Sequence, residues 1–250
     1  MSAIIAHEFR NSLTSIKMIL QLQRESKRLS RSDGKSLDVA LHSIYHMERV
    51  VTELLNFARP APLQFRRVGI ASVLNECIAF VELQMVKSHV ALRKTIDSSL
   101  PGVRLDPSRF KEALVNILLN AVQAIDAKTE RAEYEHIDLS VEQRVLRRSV
   151  RQLVGVEGSE ENGTKEVSEV NLQQGTRCIV IDVKDTGAGI EPENMKRIFD
   201  PFFTTKVNGT GLGLPLVRRT VNAHGGVVGI MSEKGKGTTL TITMPLSEES

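Results

Sequence analysis

Ile179-Val180-Ile181-Asp182-Val183-Lys184-Asp185-Thr186-Gly187-Ala188-Gly189-Ile190 runs a β-branched segment straight into an aspartate and two glycines. Branched side chains suit a pleated, half-buried surface, so the run Arg177 to Lys184 is expected to be a strand with Asp185 at its exit. The glycines behind it permit a tight turn and let another molecule approach the backbone. A surface turn has the same local look, and D-x-G-x-G alone is weak evidence. Its meaning depends on what stands around it in the chain.

Upstream, Asp106-Pro107-Ser108-Arg109-Phe110 opens a helix to about Ala127. Asp or Ser can cap it, and Leu114, Ile117, Leu118, Ala121 and Ile125 form its buried face. Glu112, Asn116 and Asn120 lie four apart on the other face. Aligned amide and carboxylate oxygens suit a hard cation such as magnesium carrying nucleotide phosphates, because that ion keeps several waters and takes few protein ligands. A solvated polar face would look the same. Downstream, Ile198-Phe199-Asp200-Pro201-Phe202-Phe203 gathers three of the chain's eight phenylalanines, and Thr204-Thr205-Lys206 leads on to Gly209-Thr210-Gly211-Leu212-Gly213-Leu214. Glycines at a helix start expose amides and the positive end of the dipole to phosphate, and Pro215 fits the first turn. Lys206 can reach a terminal phosphate as a point charge. Asp185 can accept a hydrogen bond from adenine's exocyclic amine, where guanine presents an acceptor and is repelled.

At the other end, Ala6, Phe9, Leu13, Ile16 and Leu20 recur at spacings of three and four, one stripe of a helix running to about Arg28. A polar turn is expected at Ser30-Arg31-Ser32-Asp33-Gly34. Leu37, Ala40, Ile44, Met47, Val51, Leu54 and Ala58 then repeat the pattern, with Leu41, Val50 and Leu55 widening the face. The two helices form an antiparallel hairpin that cannot cover both stripes alone. A four-helix bundle with a second copy is expected, the hairpin packed on its own second domain being the alternative. His7, one residue past Ala6, emerges at the flank, where its neutral nitrogen can attack phosphorus if Glu8 holds or removes the other nitrogen's proton. Asn11, four residues on, shares that face and can orient a water. Alone, His7 is also what an ordinary surface histidine looks like.

Arg59-Pro60-Ala61-Pro62 stops the second helix and marks a hinge. The chain therefore divides into an all-α hairpin at 1–59 and an α+β sandwich at 60–250. For the latter we expect helices near Ile70 to Lys87, from Ser108 to Ala127 and after Gly213, an alternating strand through Ile137, Leu139 and Val141, and strands near Val227 to Met231 and Thr238 to Met244. Between 143 and 176 the pattern fades, and 157–163 has the composition of a solvated, mobile insertion. Arg144, Arg147, Arg148 and Arg151 fall on one helical face with Leu146, Val150, Leu153 and Val154 opposite. That suits a docking or membrane-surface helix, with an ordinary surface helix or an elaborated hairpin as the alternative.

A chain of 250 residues with 41% apolar and 25% charged residues has the balance of a soluble globular protein. A formal charge of +3 from scattered basic residues argues against a nucleic-acid partner. Cys77 and Cys178 lack metal spacing and fit packed thiols in a reducing compartment. No apolar run approaches the roughly 18 residues that span a bilayer, so the chain as given is expected in the cytoplasm, with a membrane anchor left open for a longer form.

Taken in order, these blocks resemble the catalytic core of a two-component sensor histidine kinase, over about Ile4 to Pro245 apart from 143–176. His-Glu-x-x-Asn followed by Leu13 is similar to the family's phosphoacceptor box. This implies autophosphorylation of His7, Glu8 as its acid/base partner, and Asn11 at the position that orients water when such proteins dephosphorylate their partner. Ser12 departs from the usual proline, so the helix bend found there is not implied. Asn116 and Asn120 resemble the asparagine box, whose second asparagine is a metal ligand, with Glu112 one turn before them. Asp185, Gly187 and Gly189, and then Gly209, Gly211, Leu212 and Gly213, resemble the glycine boxes of the nucleotide pocket, with Lys206 in the lid. Gly235 to Thr239, including Thr238, resembles the last box. The resemblance implies ATP and Mg2+ as cofactors, a nucleotide fold of the histidine kinase/gyrase/chaperone type, a homodimer, and a response regulator receiver domain whose aspartate takes the phosphate. Only six residues precede His7, so a sensing domain is expected on another chain or on a missing N-terminal part. Gyrase, chaperone and mismatch-repair ATPases share the asparagine and glycine blocks but have no reason to carry His-Glu-x-x-Asn on a hairpin. A non-catalytic scaffold is disfavoured by the intact Asn120, Asp185 and glycines.

Overall fold

The computed structural model describes residues 13–14, 16–23, 31–58, 62–128, 134–157, 166–206 and 209–246. By its contacts the chain forms two units, one of Met1–Pro62 with Phe202–Leu212 and one of Leu63–Pro201 with Gly213–Ser250.

In the first unit, helix α1, described at residues 13–14 and 16–23, runs against α2, Arg31–Ala58. Lys17 Nζ meets Glu48 Oε2 at 3.0 Å and Gln21 Nε2 donates to the Tyr45 hydroxyl at 3.1 Å, so advancing along α1 means retreating along α2. The pair is antiparallel. Leu13, Leu37, Leu41 and Ile44 are buried, while Ile16 and Met47 on the same expected stripes stay exposed. The polar turn expected at 30–34 is not there: α2 already begins at Arg31 and takes in Ser32, Asp33 and Gly34. Asp33 falls in the first turn, where a carboxylate is favoured by the positive end of the helix dipole, and this offsets the poor helix propensity of Gly34.

The second unit is a two-layer sandwich. Its sheet has the order β2-β4-β7-β9-β8, from Val90–Ile96, Glu135–Val145, Arg177–Asp185, Gly237–Pro245 and Val227–Glu233. Only β2 and β4 run parallel. Ile137 faces Asp185, Leu139 faces Val183, Ile181 faces Ile242 and Val183 faces Leu240 across the ladders. These period-2 positions form one apolar face. Helices α3 (Ile70–Lys87), α4 (Pro107–Asp126) and α5 (Gly213–Ala223) contribute Leu74, Val81, Phe110, Leu114, Leu118, Val217 and Val221 to the same core. Truncating a fully enclosed side chain such as Leu118 to alanine costs about 2–5 kcal/mol, since lost transfer energy and a residual cavity add. A small sheet of β1 (Arg66–Val68) and β3 (Val103–Leu105) leads into α4.

The basic stretch 144–151 is not a helix. β4 continues to Val145, a turn follows, and β5 (Val150–Glu157) pairs antiparallel with β6 (Glu166–Leu172). The β-branched residues Val150, Val154 and Val156 outweigh the accidental three- and four-residue spacing of the arginines. Leu172 packs with Cys178 and Val227 on the sheet face opposite the helices, with Leu146, Val150 and Val170 around them. Gln152 locks this hairpin to the sheet, its Nε2 donating to Val228 O at 2.8 Å and its Oε1 accepting from Val228 N at 3.0 Å. A side chain thus pairs the outermost strand.

Candidate functional site

Helix α4 carries the polar stripe and is held firmly at its start. Asp106 Oδ1 accepts from Ser108 N at 3.0 Å and Arg109 N at 3.1 Å, and its Oδ2 from Gln64 N at 2.8 Å. Burial works to raise the Asp106 carboxyl, but these amides outweigh it and hold the group below its ordinary value. Asp106 N donates to His224 Nε2 at 2.9 Å, and His224 Nδ1 lies 2.7 Å from Thr220 O. Nδ1 must therefore carry the proton, which fixes a neutral tautomer. Burial pushes the pKa of His224 down, against the Thr220 carbonyl and the Asp106 charge.

The stripe then meets the two glycine segments of this unit. A Cβ added to Gly213 would lie 3.8 Å from both Asn116 Oδ1 and Asn120 Nδ2, so the first turn of α5 faces the two asparagines. One turn on, Ala124 O accepts from Ala188 N at 2.9 Å, and Gly187 lies against the Ala124 backbone. Asn116, Asn120 and Ala124, spaced by four, connect the start of α5 to the Asp185 loop. Glu112 Oε2 is engaged by Arg109 Nη1 at 3.3 Å on the same helix.

Asp185 is 6% exposed at the exit of β7. Its Oδ1 accepts from Gly187 N at 2.8 Å and Thr238 N at 3.2 Å, so the first and last glycine segments of the pocket share one carboxylate. Gly189, at φ +68, leaves 2.1 Å between an added Cβ and Glu233 O; Gly237, at φ +110, leaves 2.0 Å to Asp185 O. Neither position admits a side chain, on conformation or on space. Ser232 ties the same segments, accepting from Ile190 N at 2.9 Å, bonding Gly237 O at 3.0 Å and Thr238 Oγ1 at 2.8 Å. Gly235 N donates to Ala188 O at 2.7 Å and Lys234 Nζ meets Glu191 Oε1 at 2.7 Å. The loop is thus tied together by its own hydrogen bonds. A buried carboxylate, a cradle that excludes Cβ atoms and asparagine oxygens beside an open helix start fit an adenine nucleotide and its cation.

Lys206, Gly209, Gly211 and Leu212 lie in the segment that groups with the other unit. There Lys206 N donates to Thr204 Oγ1 at 3.1 Å, Gly209 N to Lys206 O at 3.1 Å, Phe202 N to Gly211 O at 3.0 Å, and Leu212 N to Thr210 Oγ1 at 3.3 Å. His7, Glu8 and Asn11 lie outside the described residues. Sequence reasoning missed Ser232, which the β8–β9 register sets opposite Thr238. It also missed Lys128 and Glu135, which bond Thr186.

Residues 105–248 match the family described as Histidine kinase-, DNA gyrase B-, and HSP90-like ATPase, and residues 1–62 match the His Kinase A (phospho-acceptor) domain. The chain is 30% identical over 247 residues to the Sensor histidine kinase ZraS of Escherichia coli (strain K12), covering 99% of this chain and 45% of that protein. It is 32% identical over 245 residues to the Signal transduction histidine-protein kinase AtoS of the same organism, covering 98% of this chain and 34% of that protein. Sporulation kinase E of Bacillus subtilis (strain 168) matches at 26% identity, over 100% of this chain and 29% of its own length. The chain thus spans less than half the length of these relatives. Its fold is similar to that of full-length ShkA, solved in complex with AMPPNP, at a TM-score of 0.72 and 23% identity over 100% of this chain and 46% of that one. It is also similar to histidine kinase ThkA, solved in complex with response regulator protein TrrA, at a TM-score of 0.61 and 22% identity over 99% of this chain and 61% of that one.

Proposed function

Because this chain belongs to the sensor histidine kinases, with a phospho-acceptor domain ahead of an ATPase domain of the histidine kinase, gyrase B and HSP90 type, we propose that it phosphorylates itself on His7 from ATP and passes the phosphate to an aspartate on a response regulator receiver domain. The observation that carries the nucleotide half of this reading is the convergence on one carboxylate, Asp185, of amides from Gly187 and Thr238, beside an α5 start that faces Asn116 and Asn120. Asp185 accepts from the adenine amine, and the glycine backbone lies against the base. Gly213 takes phosphate by its amide at the start of α5, and Lys206, Gly209, Gly211 and Leu212 keep the lid role that their resemblance implies. Asn120, with Asn116 and Glu112 on the same stripe of α4, would hold Mg2+, which would neutralise charge on the phosphate oxygens.

On the hairpin, a ring nitrogen of His7 attacks the γ-phosphorus. An N–P bond forms, the β–γ P–O bond breaks, ADP leaves, and Glu8 takes the proton from the other ring nitrogen. Asn11 has no acid/base role because an amide does not titrate near neutral pH; it holds a water in line for hydrolysis of the regulator's acyl phosphate. Residues 1–59 carry acceptor and dimer contacts, 60–250 the nucleotide site, and a homodimer brings four helices together.

The test is incubation with ATP labelled at the γ-phosphate. The protein should acquire label that is lost in acid and kept in alkali, as a phosphoramidate is. His7→Gln should abolish labelling and leave ADP affinity within about twofold, since Asp185, Asn116, Asn120 and Gly213 belong to the other unit. Label persisting in His7→Gln would remove His7 as the acceptor.

A further inference from the structure

Behind the Asp185 loop sits a polar cluster that the nucleotide reading does not use. Glu135, at the first position of β4, has a side chain only 3% exposed, and it pairs at 3.0 Å with Lys128 Nζ, which is 20% exposed just beyond α4. Both reach Thr186. Glu135 Oε2 accepts from Thr186 Oγ1 at 2.5 Å, and Lys128 Nζ donates to Thr186 O at 3.0 Å. The β4–β7 ladder ends at the pair Ile137 and Asp185. Beyond it His136 N donates to Thr186 Oγ1 at 3.1 Å, and Thr186 N to His136 O at 3.3 Å, so the threonine hydroxyl stands in for one more rung.

The geometry carries this anchoring to the carboxylate. Thr186 C=O and Gly187 N–H belong to one planar trans peptide, so their directions are opposed and rigidly linked. Lys128 holds the oxygen end of that plane; the hydrogen end donates to Asp185 Oδ1 at 2.8 Å. Fixing Thr186 O therefore fixes the amide that orients Asp185. A lysine on an exposed stem would do this poorly, because ordering its rotamers costs free energy. The buried Glu135 orders it in advance, and burial of that carboxylate is tolerated because it is paired and hydrogen-bonded.

We propose that Lys128, Glu135 and Thr186 form a positioning clamp, which sets the orientation of Asp185 and thereby the preference of the pocket for a purine with an exocyclic amine. The inference rests on the reading of Asp185 as the adenine acceptor. It assigns no contact with nucleotide to the clamp itself.

The test measures binding of ADP and of inosine diphosphate, which has a carbonyl in place of the amine, to the whole chain with magnesium. Lys128→Met/Glu135→Gln leaves no unpaired buried charge, Thr186→Val removes the hydroxyl without changing size, and Thr186→Ser restores it. The first two should weaken ADP about tenfold while inosine diphosphate stays within about twofold, because only the bond to the amine depends on the carboxylate's aim. Thr186→Ser should return to the parent's preference. An unchanged preference in the first two variants, with Asp185→Asn losing it, would overturn the clamp alone. Equal losses for both nucleotides with a lowered melting temperature would overturn it as a merely structural cluster. A parent that does not prefer ADP, and is unaffected by Asp185→Asn, would overturn the reading of Asp185 and the clamp with it.

Discussion

Asp185 engages two backbone amides with a single oxygen, and this sets what its amide analogue must do. In Asp185→Asn the side-chain oxygen has to turn toward Gly187 N and Thr238 N, since both need an acceptor, and the other carboxylate oxygen is replaced by an NH2. An amine on the base then meets a donor. The loss should be about 1.5–3 kcal/mol, roughly ten- to hundredfold in ADP affinity by calorimetry, with the melting temperature nearly unchanged. His224 makes a pH prediction of equal sharpness. Its ring is enclosed edge-on by Phe65 and Phe110, accepts from Asp106 N and is held neutral, so its pKa in the folded chain lies below the 6.5 of the unfolded one. The unfolded chain therefore binds the extra proton first. Stability is complete above about pH 6.5 and falls as pH drops toward the depressed folded value, because protonation sets a second N–H against the amide of Asp106. Denaturant midpoints recorded between pH 8 and 5 should fall in the parent, and His224→Asn should lose stability at pH 8 but show a flatter curve. A parent midpoint independent of pH would show that the ring tolerates its proton. Asp106 acts in the opposite window: its depressed pKa contributes stability above about 3.8 that is lost as pH falls through the folded value.

At the scale of elements, the proposed nucleotide site draws oxygens from α4 and amides from the start of α5. Gly213 opens α5 with room for a methyl, 3.8 Å short of both asparagines. Gly213→Ala should hold or raise the melting temperature, because alanine is favoured over glycine in a helix by up to about 1 kcal/mol. The same methyl narrows the approach of phosphate to the helix start, so ADP affinity should fall; a gain in both measurements would mean that phosphates do not bind there. Gln152→Leu should cost about 1–2 kcal/mol through its two bonds to Val228 and leave ADP affinity unchanged, which a melting curve and a titration together decide. The elements with strong local signals were legible. α3 occupies Ile70–Lys87 and α4 begins beside the Asp106 cap, because period and cap agree there. β2 was not legible, since Val90–Ile96 mixes arginine and lysine into an outer strand that is largely exposed. β1 and β3, three residues each, leave too little pattern to read. The stretch 144–151 left a helix and an elaborated hairpin both open, because a basic helical face and a strand-turn-strand share the same arginines, and the pairing of β5 with β6 decides for the hairpin. In the site, Asp185, Asn116 and Asn120 stood out by motif. Lys128, Glu135 and Thr186 did not, since Glu135 and Thr186 lie 51 residues apart and only the sheet brings them together.

Across the whole molecule, both units expose large apolar side chains; on the α1–α2 pair they include Ile16 at 48% and Met47 at 44%, with Ile19 and Leu22. Lys17–Glu48 and Gln21–Tyr45 tie the pair over about one turn of α1, and Leu13, Leu37, Leu41 and Ile44 are its buried apolar side chains, so Ile16 and Met47 lie outside that closure. Apolar side chains exposed on a helix pair suit an interface, and a second copy of the same hairpin supplies the same residues under two-fold symmetry. Because Ile16 and Met47 are exposed within one chain, a charge at either position costs the single chain little. In a four-helix bundle the same charge is buried against its own symmetry mate, and an unpaired carboxylate removed from water costs several kcal/mol. Ile16→Asp and Met47→Asp should therefore move the protein from dimer to monomer in sedimentation at micromolar concentration, with ADP affinity kept, since the nucleotide residues Asp185, Asn116 and Asn120 belong to the other unit. Retention of the dimer in both variants would place the interface elsewhere, and a monomeric parent would mean that these side chains meet a different partner.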